Sequence, residues 1–115
     1  MENLGFGILS LCGMIFIFAG AILHAFPPKK RNNFYGYRTM SSMSTEEKWK
    51  FSQKFSALRM VESGVFLLLI STLGYFVDFS EGAESTINVL AILVYILYMI
   101  FRTERALKIK FPSNL

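Results

Sequence analysis

The distribution of charge along this 115-residue chain is the feature that most limits its fold. All twelve lysines and arginines lie in two segments, residues 29–59 and 102–110, and these alternate with long apolar stretches. A short acidic segment, residues 78–84, separates the second and third apolar stretches. Segments rich in Lys and Arg stay on the cytoplasmic side of a membrane. The pattern therefore predicts a membrane protein whose basic segments are cytoplasmic and whose acidic segment is outside.

Three stretches are long and apolar enough to be transmembrane helices. Residues 4–26 contain no charged side chain and would form a helix about 34 Å long, more than the roughly 30 Å of a bilayer core. Residues 61–79 and 85–101 are the second and third spans, and the third is short enough to need local thinning of the bilayer or packing. The first runs into Pro27 and Pro28 rather than a small-residue cleavage site, so we expect it to be retained and not removed as a signal peptide.

These assignments predict an all-α membrane protein that forms a single domain, residues 1–115. Between the first and second spans we expect a cytoplasmic loop followed by an amphipathic helix, together residues 27–60. An outer loop of residues 80–84 and a cytoplasmic tail of residues 102–115 complete the chain. The N-terminus is then expected outside and the C-terminus inside.

The amphipathic helix is predicted from a start signal and a periodic pattern. Ser44 has the position of the N-cap in a capping box, with Glu47 reaching back to its amide. No helix breaker occurs before Gly64. Over residues 45–60 a 100° step per residue turns Gln53 and other polar residues away from one apolar face. That face holds Phe51, Phe55 and Leu58. The sequence leaves open whether this helix continues into the second span.

Each predicted span carries one stripe of mostly small or polar residues at heptad spacing. The stripes are Ser10, Gly13, Ile17, Gly20 and His24; Gly64, Leu67, Ser71, Gly74 and Asp78; and Asn88, Ala91, Tyr95, Tyr98 and Arg102. In lipid, small residues let helices approach closely, and side-chain hydrogen bonds add to that attraction. We therefore expect the stripes to face one another, with ordinary packing as their simplest role.

Composition argues against several functional classes. The single cysteine, Cys12, allows neither a disulfide framework nor a thiolate zinc site, and the single histidine, His24, is better explained by packing than by metal binding. No paired carboxylates on one span, Gly-rich phosphate loop or serine with a base at motif spacing occurs, so we expect no enzyme activity, cofactor or metal. The cations next to the spans are explained by topology and attraction to lipid headgroups rather than by nucleic-acid binding, because no groove-reading motif accompanies them.

The loop after the first span contains the most distinctive motif. Two tyrosines lie on either side of a glycine, followed by an arginine and a threonine: Tyr35-Gly36-Tyr37-Arg38-Thr39. The glycine predicts a turn that needs a positive φ or a close approach of the backbone. That turn would place both tyrosines at the level of the lipid headgroups. An ordinary interfacial belt of tyrosines and cations explains the motif equally well.

A polar cluster is predicted around this motif. Glu62, at the start of the second span, needs a cation, and the guanidinium of Arg38 can supply two donors in a fixed fork. We therefore expect Arg38 and Glu62 to pair, with Trp49 and the motif tyrosines packed around them. Arg59, one turn before Glu62, and Arg102 are competing partners. Trp49 also offers a face on which a guanidinium can stack.

These residues resemble the signature of a known family. Asn33, the motif of residues 35–39, a serine-rich stretch and Trp49, eleven residues after the arginine, are similar to the SdpI-like bacterial membrane proteins. That family is named after an immunity protein against a secreted toxic peptide. The resemblance covers residues 32–70 and the three-helix layout, although longer members carry additional spans. Members often show Ala-Asn or Ala-Gln soon after the tryptophan, where this chain has Ser-Gln.

The resemblance implies a non-enzymatic protein of the bacterial cytoplasmic membrane that protects the cell from a membrane-active peptide. In some systems it also implies signalling to a transcriptional repressor. The expected partners are membrane lipids, a secreted antimicrobial peptide and a cytoplasmic repressor, and the oligomeric state is open. The candidate site residues, from the motif and the expected cluster, are Asn33, Tyr35, Gly36, Tyr37, Arg38, Thr39, Trp49 and Glu62.

A second class of function is a homo-oligomeric transport or permeation element. Its lining would come from the polar stripe of the third span: Asn88, Tyr95, Tyr98 and Arg102. The two classes differ in an observable way. A binding protein should protect cells without conducting ions, whereas a pore should conduct in liposomes with no toxin present.

Overall fold

The computed structural model describes residues 4–77 and 79–112 as three helices with two connections. Helix α1 spans Leu4–Ala25, α2 spans Glu46–Gly74 and α3 spans Glu81–Lys110. All three are long and apolar enough to cross a membrane. The predicted all-helical architecture with three candidate membrane spans is therefore confirmed.

Helix α2 is one continuous helix rather than a surface helix followed by a separate span. It begins one residue later than predicted, because Thr45 is the N-cap and accepts the amide of Lys48 at 3.1 Å. Ser44 instead donates to the carbonyl of Ser41. The glycine in the middle of α2, Gly64, does not interrupt the helix, and α1 packs closely against it. The residues predicted to form an amphipathic helix are thus the first turns of α2, and the continuity that the sequence leaves open is observed.

The helix ends differ from the predicted spans. Helix α2 ends at Gly74 and is followed by a turn, so it stops before residue 79, where the second span is predicted to end. Helix α3 begins at Glu81 after the N-cap Ser80, so most of the predicted outer loop is helical. It continues to Lys110, well beyond the third predicted span. Acidic residues in its first turn and basic residues in its last turn favour this length, because they oppose the partial charges of the helix ends.

The predicted small-residue stripes of α1 and α2 face each other. A Cβ built on Gly13 would lie 2.9 Å from the carbonyl oxygen of Gly64, which is closer than a side chain can approach. The hydroxyl oxygens of Ser10 and Ser71 are 2.6 Å apart, so one donates to the other across the interface. Close backbone approach and a hydrogen bond therefore hold these two helices together. The last member of the second stripe, Asp78, lies outside the described residues.

Helix α3 packs mainly on α2. The rings of Phe66 and Tyr95 stack with their centroids 5.7 Å apart and 8° between their planes. Helices α1 and α3 contact each other much less than either contacts α2. The buried core lies towards the start of α1 and consists of Phe6, Leu9 and Leu67.

Successive helices run antiparallel, because contacts between them pair the start of one helix with the end of the next. The connection of residues 26–45, here called the motif loop, and the last turns of α3 therefore lie at the same end of the molecule. We call it the motif end. Both basic segments of the sequence lie there, as the charge pattern requires. Which side of a membrane this end faces stays a prediction.

Candidate functional site

At its start, the motif loop is shaped by hydrogen bonds between residues two or three positions apart in the sequence. The side-chain oxygen of Asn32 accepts the amides of Phe34 and Tyr35 at 2.9 and 2.7 Å, which forms an Asx-type turn. Asn33, a predicted site residue, is exposed, and the preceding asparagine makes the turn. Gly36 has a φ of 108°, a backbone conformation that favours glycine. Of the two alternatives predicted for this glycine, a positive φ or a close approach of the backbone, the positive φ is observed.

Gln53 of α2 binds the backbone of Tyr37. Its side-chain oxygen accepts the Tyr37 amide at 2.7 Å, and its side-chain nitrogen donates to the Tyr37 carbonyl at 2.8 Å. Both residues are buried. A Cβ built on Gly36 would lie 2.5 Å from the Gln53 oxygen. The missing side chain at Gly36 is therefore what allows the Gln53 amide to reach the loop.

The burial of Gln53 corrects the predicted amphipathic pattern. The helical period turns Gln53 towards solvent, away from the face of Phe51, Phe55 and Leu58. In the structure Gln53 is fully buried and Leu58 is exposed. The physical reason is that the motif loop folds over the polar face of α2 and offers it two backbone partners. A polar side chain with both hydrogen bonds made can be buried at little cost.

Glu104 of α3 binds the two hydroxyl groups of the motif. The Tyr37 hydroxyl donates to its carboxylate at 2.6 Å, and the Thr39 hydroxyl donates to the same oxygen at 2.8 Å. Burial raises the pKa of the Tyr37 phenol above its ordinary value, and the hydrogen bond to Glu104 and its negative charge raise that pKa further. The phenol therefore stays protonated and keeps donating at physiological pH. Gln53 and Glu104, here called the two loop anchors, fasten the motif loop to α2 and α3.

Trp49 and Tyr35 close the start of the loop. The indole nitrogen of Trp49 donates to the carbonyl of Pro28 at 2.8 Å, and the Tyr35 hydroxyl donates to the carbonyl of Phe26 at 2.8 Å. Trp49 is almost fully buried. Among the described residues no guanidinium lies over its ring, so the predicted cation stacking is not found. Trp49 instead donates a hydrogen bond to the motif loop, at the carbonyl of the second of two consecutive prolines.

Glu62 has other partners than the one predicted. Tyr98 of α3 donates to its carboxylate at 2.6 Å, and Nε of Arg59 lies 3.4 Å from the same oxygen. Arg102 in turn donates to the Tyr98 oxygen at 2.7 Å. Arg38 is exposed and forms no ion pair with any described residue. The predicted Arg38–Glu62 pair is therefore wrong, whereas the pairing of Glu62 with Arg59 is confirmed.

A cavity of about 380 Å³ lies beneath the motif loop, next to Arg38. Its walls come from all three helices and the loop: Ala19, Leu23, Ser56, Met60, Met99, Ile100 and residues 35–39. Arg38 lines this cavity and is exposed, so it stands at the cavity mouth. Glu62 is not among the lining residues, because it faces α3 at the Tyr98 contact. Glu62 therefore does not contribute a charge to the cavity wall.

Three residues that the sequence does not mark as site residues hold the loop. Glu104 carries a signal, because it is an acid among the bases of the predicted tail. Gln53 carries another, because it follows the tryptophan at the position where relatives often have an amide. Ser42 carries no distinguishing signal, yet its buried hydroxyl accepts the amide of Thr39 at 2.8 Å.

The arrangement is suited to holding a shape rather than to presenting a reactive group. The polar atoms of Tyr37, Thr39 and Gln53 are engaged with one another and with Glu104. In residues 4–77 and 79–112, no group of three His, Cys, Asp or Glu side chains is placed to hold a metal ion. What the site offers to a ligand is an apolar cavity with one cation, Arg38, at its mouth.

Comparison with known proteins identifies relatives of the chain. The family model described as the SdpI/YfhL protein family matches residues 29–106, which contain most of the motif loop, both loop anchors and all of α2. A protein of Bacillus subtilis (strain 168), "Uncharacterized protein YfhL", is 37% identical over 103 residues, which are 89% of this chain and 87% of that protein. No solved structure matches the chain.

Proposed function

Since this chain belongs to the SdpI/YfhL protein family, we propose that it is an immunity protein of the bacterial cytoplasmic membrane. It protects the cell from a membrane-active toxic peptide by binding and not by catalysis. The observation that carries this proposal is the motif loop, whose family signature is fixed by Gln53 and Glu104 at one end of the bundle. A rigid loop of this kind is a preorganised binding surface, because little conformational entropy is lost when it binds.

Signalling to a cytoplasmic repressor is the second part of the proposal. In the proposed topology the motif end faces the cytoplasm. Phe34 and Met40 of the motif loop are 94% and 93% exposed. Exposed apolar side chains such as these are available for contact with a partner protein. They support the motif end as the surface on which a cytoplasmic protein docks.

A permeation element is less well supported, because the side chains expected to line it have partners within the chain. Tyr95 stacks on Phe66, and Tyr98 donates to Glu62. Asn88 is buried. These residues pack α3 onto α2, so they are engaged within a single chain.

A challenge of bacterial cells with secreted toxic peptides tests the proposal. Cells that express the protein should grow at peptide concentrations that stop cells without it. Gly36→Val should abolish protection, because valine cannot adopt the φ of 108° that the motif loop requires. Gly82→Ala is the matched control, since its Cβ would meet open space. Immunoblots should show equal amounts of wild type and control in the membrane.

Liposomes that contain the purified protein distinguish the two functions. An immunity protein should leave the ion permeability of liposomes unchanged when no peptide is present. Conductance without peptide, together with no protection in the challenge, would favour the permeation element instead.

A further inference from the structure

We propose that the cavity beneath the motif loop is a binding site for one anionic phospholipid. An acyl chain occupies the cavity, and the phosphate binds the guanidinium of Arg38. This site goes beyond the proposed immunity function and does not depend on it.

The first observation is the chemistry of the cavity wall. Both α1 and α3 contribute only apolar side chains to it: Ala19, Leu23, Met99 and Ile100. No acidic side chain of the described residues lines the cavity. The hydroxyl groups of Tyr37 and Thr39 are already engaged with Glu104. The volume, about 380 Å³, lies in the range of roughly 300–1,000 Å³ that ligand cavities show.

The second observation is the charge at the cavity mouth. Arg38 is exposed and forms no ion pair with any described residue. Three of the other arginines have partners: Arg31 donates to a loop carbonyl, Arg59 contacts Glu62, and Arg102 donates to a tyrosine. Arg105, like these three, does not line the cavity. A guanidinium can bind a phosphate through two parallel hydrogen bonds. Because Glu62 pairs with other residues, the Arg38 guanidinium is available to bind an external anion.

The third observation is the position of the cavity. Leu23 lies in the last turn of α1, and Phe26, three residues later, is 72% exposed. The cavity is partly open, and residues near the motif end of both α1 and α3 line it. A phospholipid in the adjoining leaflet can place one acyl chain there while its headgroup stays at the level of Arg38. In the proposed topology this is the cytoplasmic leaflet, whose anionic lipids give it a negative surface potential.

The apolar cavity wall and the Arg38 charge at the cavity mouth are the two halves of the site, and together they select the ligand. A free phosphate ion would use Arg38 and leave the apolar wall empty. A zwitterionic lipid would fill the cavity but bring a cation as well as a phosphate to the mouth. An anionic phospholipid satisfies both halves, and it is present at this depth in the membrane.

Native mass spectrometry of the purified, full-length protein in detergent tests the charge. Phosphatidylglycerol and phosphatidylcholine with the same acyl chains are added in separate titrations. Wild type should retain one phosphatidylglycerol and bind it more tightly than phosphatidylcholine. Arg38→Gln should weaken phosphatidylglycerol binding by about tenfold, the loss expected for one charge-assisted pair. Lys29→Gln removes the same charge from the same loop without touching the cavity, so it should bind as wild type does.

A second pair of variants tests the cavity. Ala19 and Ala21 are both exposed on α1, but only Ala19 lines the cavity. Ala19→Phe should weaken the binding of both lipids, because they share their acyl chains, whereas Ala21→Phe should not. Unfolding followed by the fluorescence of Trp49, the only tryptophan, shows whether each variant is folded.

Several results would overturn the site. One is equal phosphatidylglycerol binding by wild type, Arg38→Gln and Ala19→Phe. Another is phosphatidylcholine binding as tightly as phosphatidylglycerol. Displacement of the lipid by millimolar inorganic phosphate would also overturn it, because it would show an ion site without a lipid. These measurements use no toxic peptide, so their failure is distinguishable from failure of the immunity proposal.

Discussion

At the scale of single residues, the motif loop is held by buried side-chain hydrogen bonds, above all those of Gln53. Gln53 accepts the amide of Tyr37 and donates to its carbonyl, as a neighbouring β-strand would do. Both groups are buried, so water cannot replace the amide. The Tyr37 amide has no other described partner, whereas its carbonyl also accepts from Ser42 at 3.3 Å.

Replacement of Gln53 by methionine should therefore destabilise the protein. The side chain has a similar length, but it leaves the buried Tyr37 amide unpaired, which costs about 1–3 kcal/mol. The measurement is unfolding in detergent, followed by Trp49 fluorescence. Lys54→Met is the control, because Lys54 is exposed on the next position of the same helix. If Gln53→Met unfolds at the same denaturant concentration as the control, the Gln53–Tyr37 contact does not hold the loop.

Two double-mutant cycles should separate the true partner of Glu62 from the expected one. Tyr98→Phe and Glu62→Gln alter one hydrogen-bonded pair, so their effects on the free energy of unfolding should be coupled by about 0.5–3 kcal/mol. Arg38→Gln and Glu62→Gln alter groups with no mutual contact, so their effects should add. Coupling in the second cycle and additivity in the first would contradict the observed geometry.

Whether the sequence predicts the role of each of these residues depends on whether that role is set by local geometry or by packing against a distant part of the chain. Gly36 is predictable because few residues other than glycine adopt its positive φ. The Glu62–Arg59 contact is predictable because it needs only helical spacing. Tyr98 is not predictable as the partner of Glu62, because that hydrogen bond depends on the rotation of α3 against α2. Gln53 is not predictable as buried, because a loop from elsewhere in the sequence covers it.

At the scale of elements, α2 is the helix on which the other two pack. Its apolar half and its small-residue stripe are predictable from hydropathy and spacing. Its length is not, because a drop in hydropathy near residue 60 does not interrupt backbone hydrogen bonds. Hydropathy marks where a helix can meet lipid, whereas caps such as Thr45 mark where it starts.

Close approach of α1 and α2 predicts a penalty for any side chain at their crossing. A Cβ on Gly64 would lie 2.5 Å from the carbonyl oxygen of Gly13, so Gly64→Ala forces backbones apart and should cost about 1–3 kcal/mol. Gly7→Ala is the control on α1, because its Cβ would be 3.3 Å from the end of the flexible Tyr75 side chain. Thermal unfolding in detergent should show a lower midpoint for Gly64→Ala than for Gly7→Ala. Equal midpoints would mean that the helices can separate at no cost.

At the scale of the whole molecule, the charge asymmetry and the antiparallel helices give one topology. The motif end should be cytoplasmic and the connection between α2 and α3 outside. With Cys12 replaced by serine, Gly82→Cys should react with an impermeant thiol reagent on intact cells, and Met40→Cys should react only after permeabilisation. Met40 is chosen because it is 93% exposed, so burial cannot explain a lack of reaction. The reverse pattern would invert the topology.

The length of α3 also has a mechanical consequence. It is one helix of 30 residues, about 45 Å long at 1.5 Å per residue, and the Tyr95–Phe66 stack lies near its middle. A stiff rod that tilts about such a pivot moves its two ends in opposite directions. Glu104 lies towards one end of α3 and accepts hydrogen bonds from the hydroxyl groups of Tyr37 and Thr39, so the motif loop would move with that end. A force applied near Ser80 would therefore displace the motif loop through rigid-body rotation alone, with no relay of side-chain rearrangements between them.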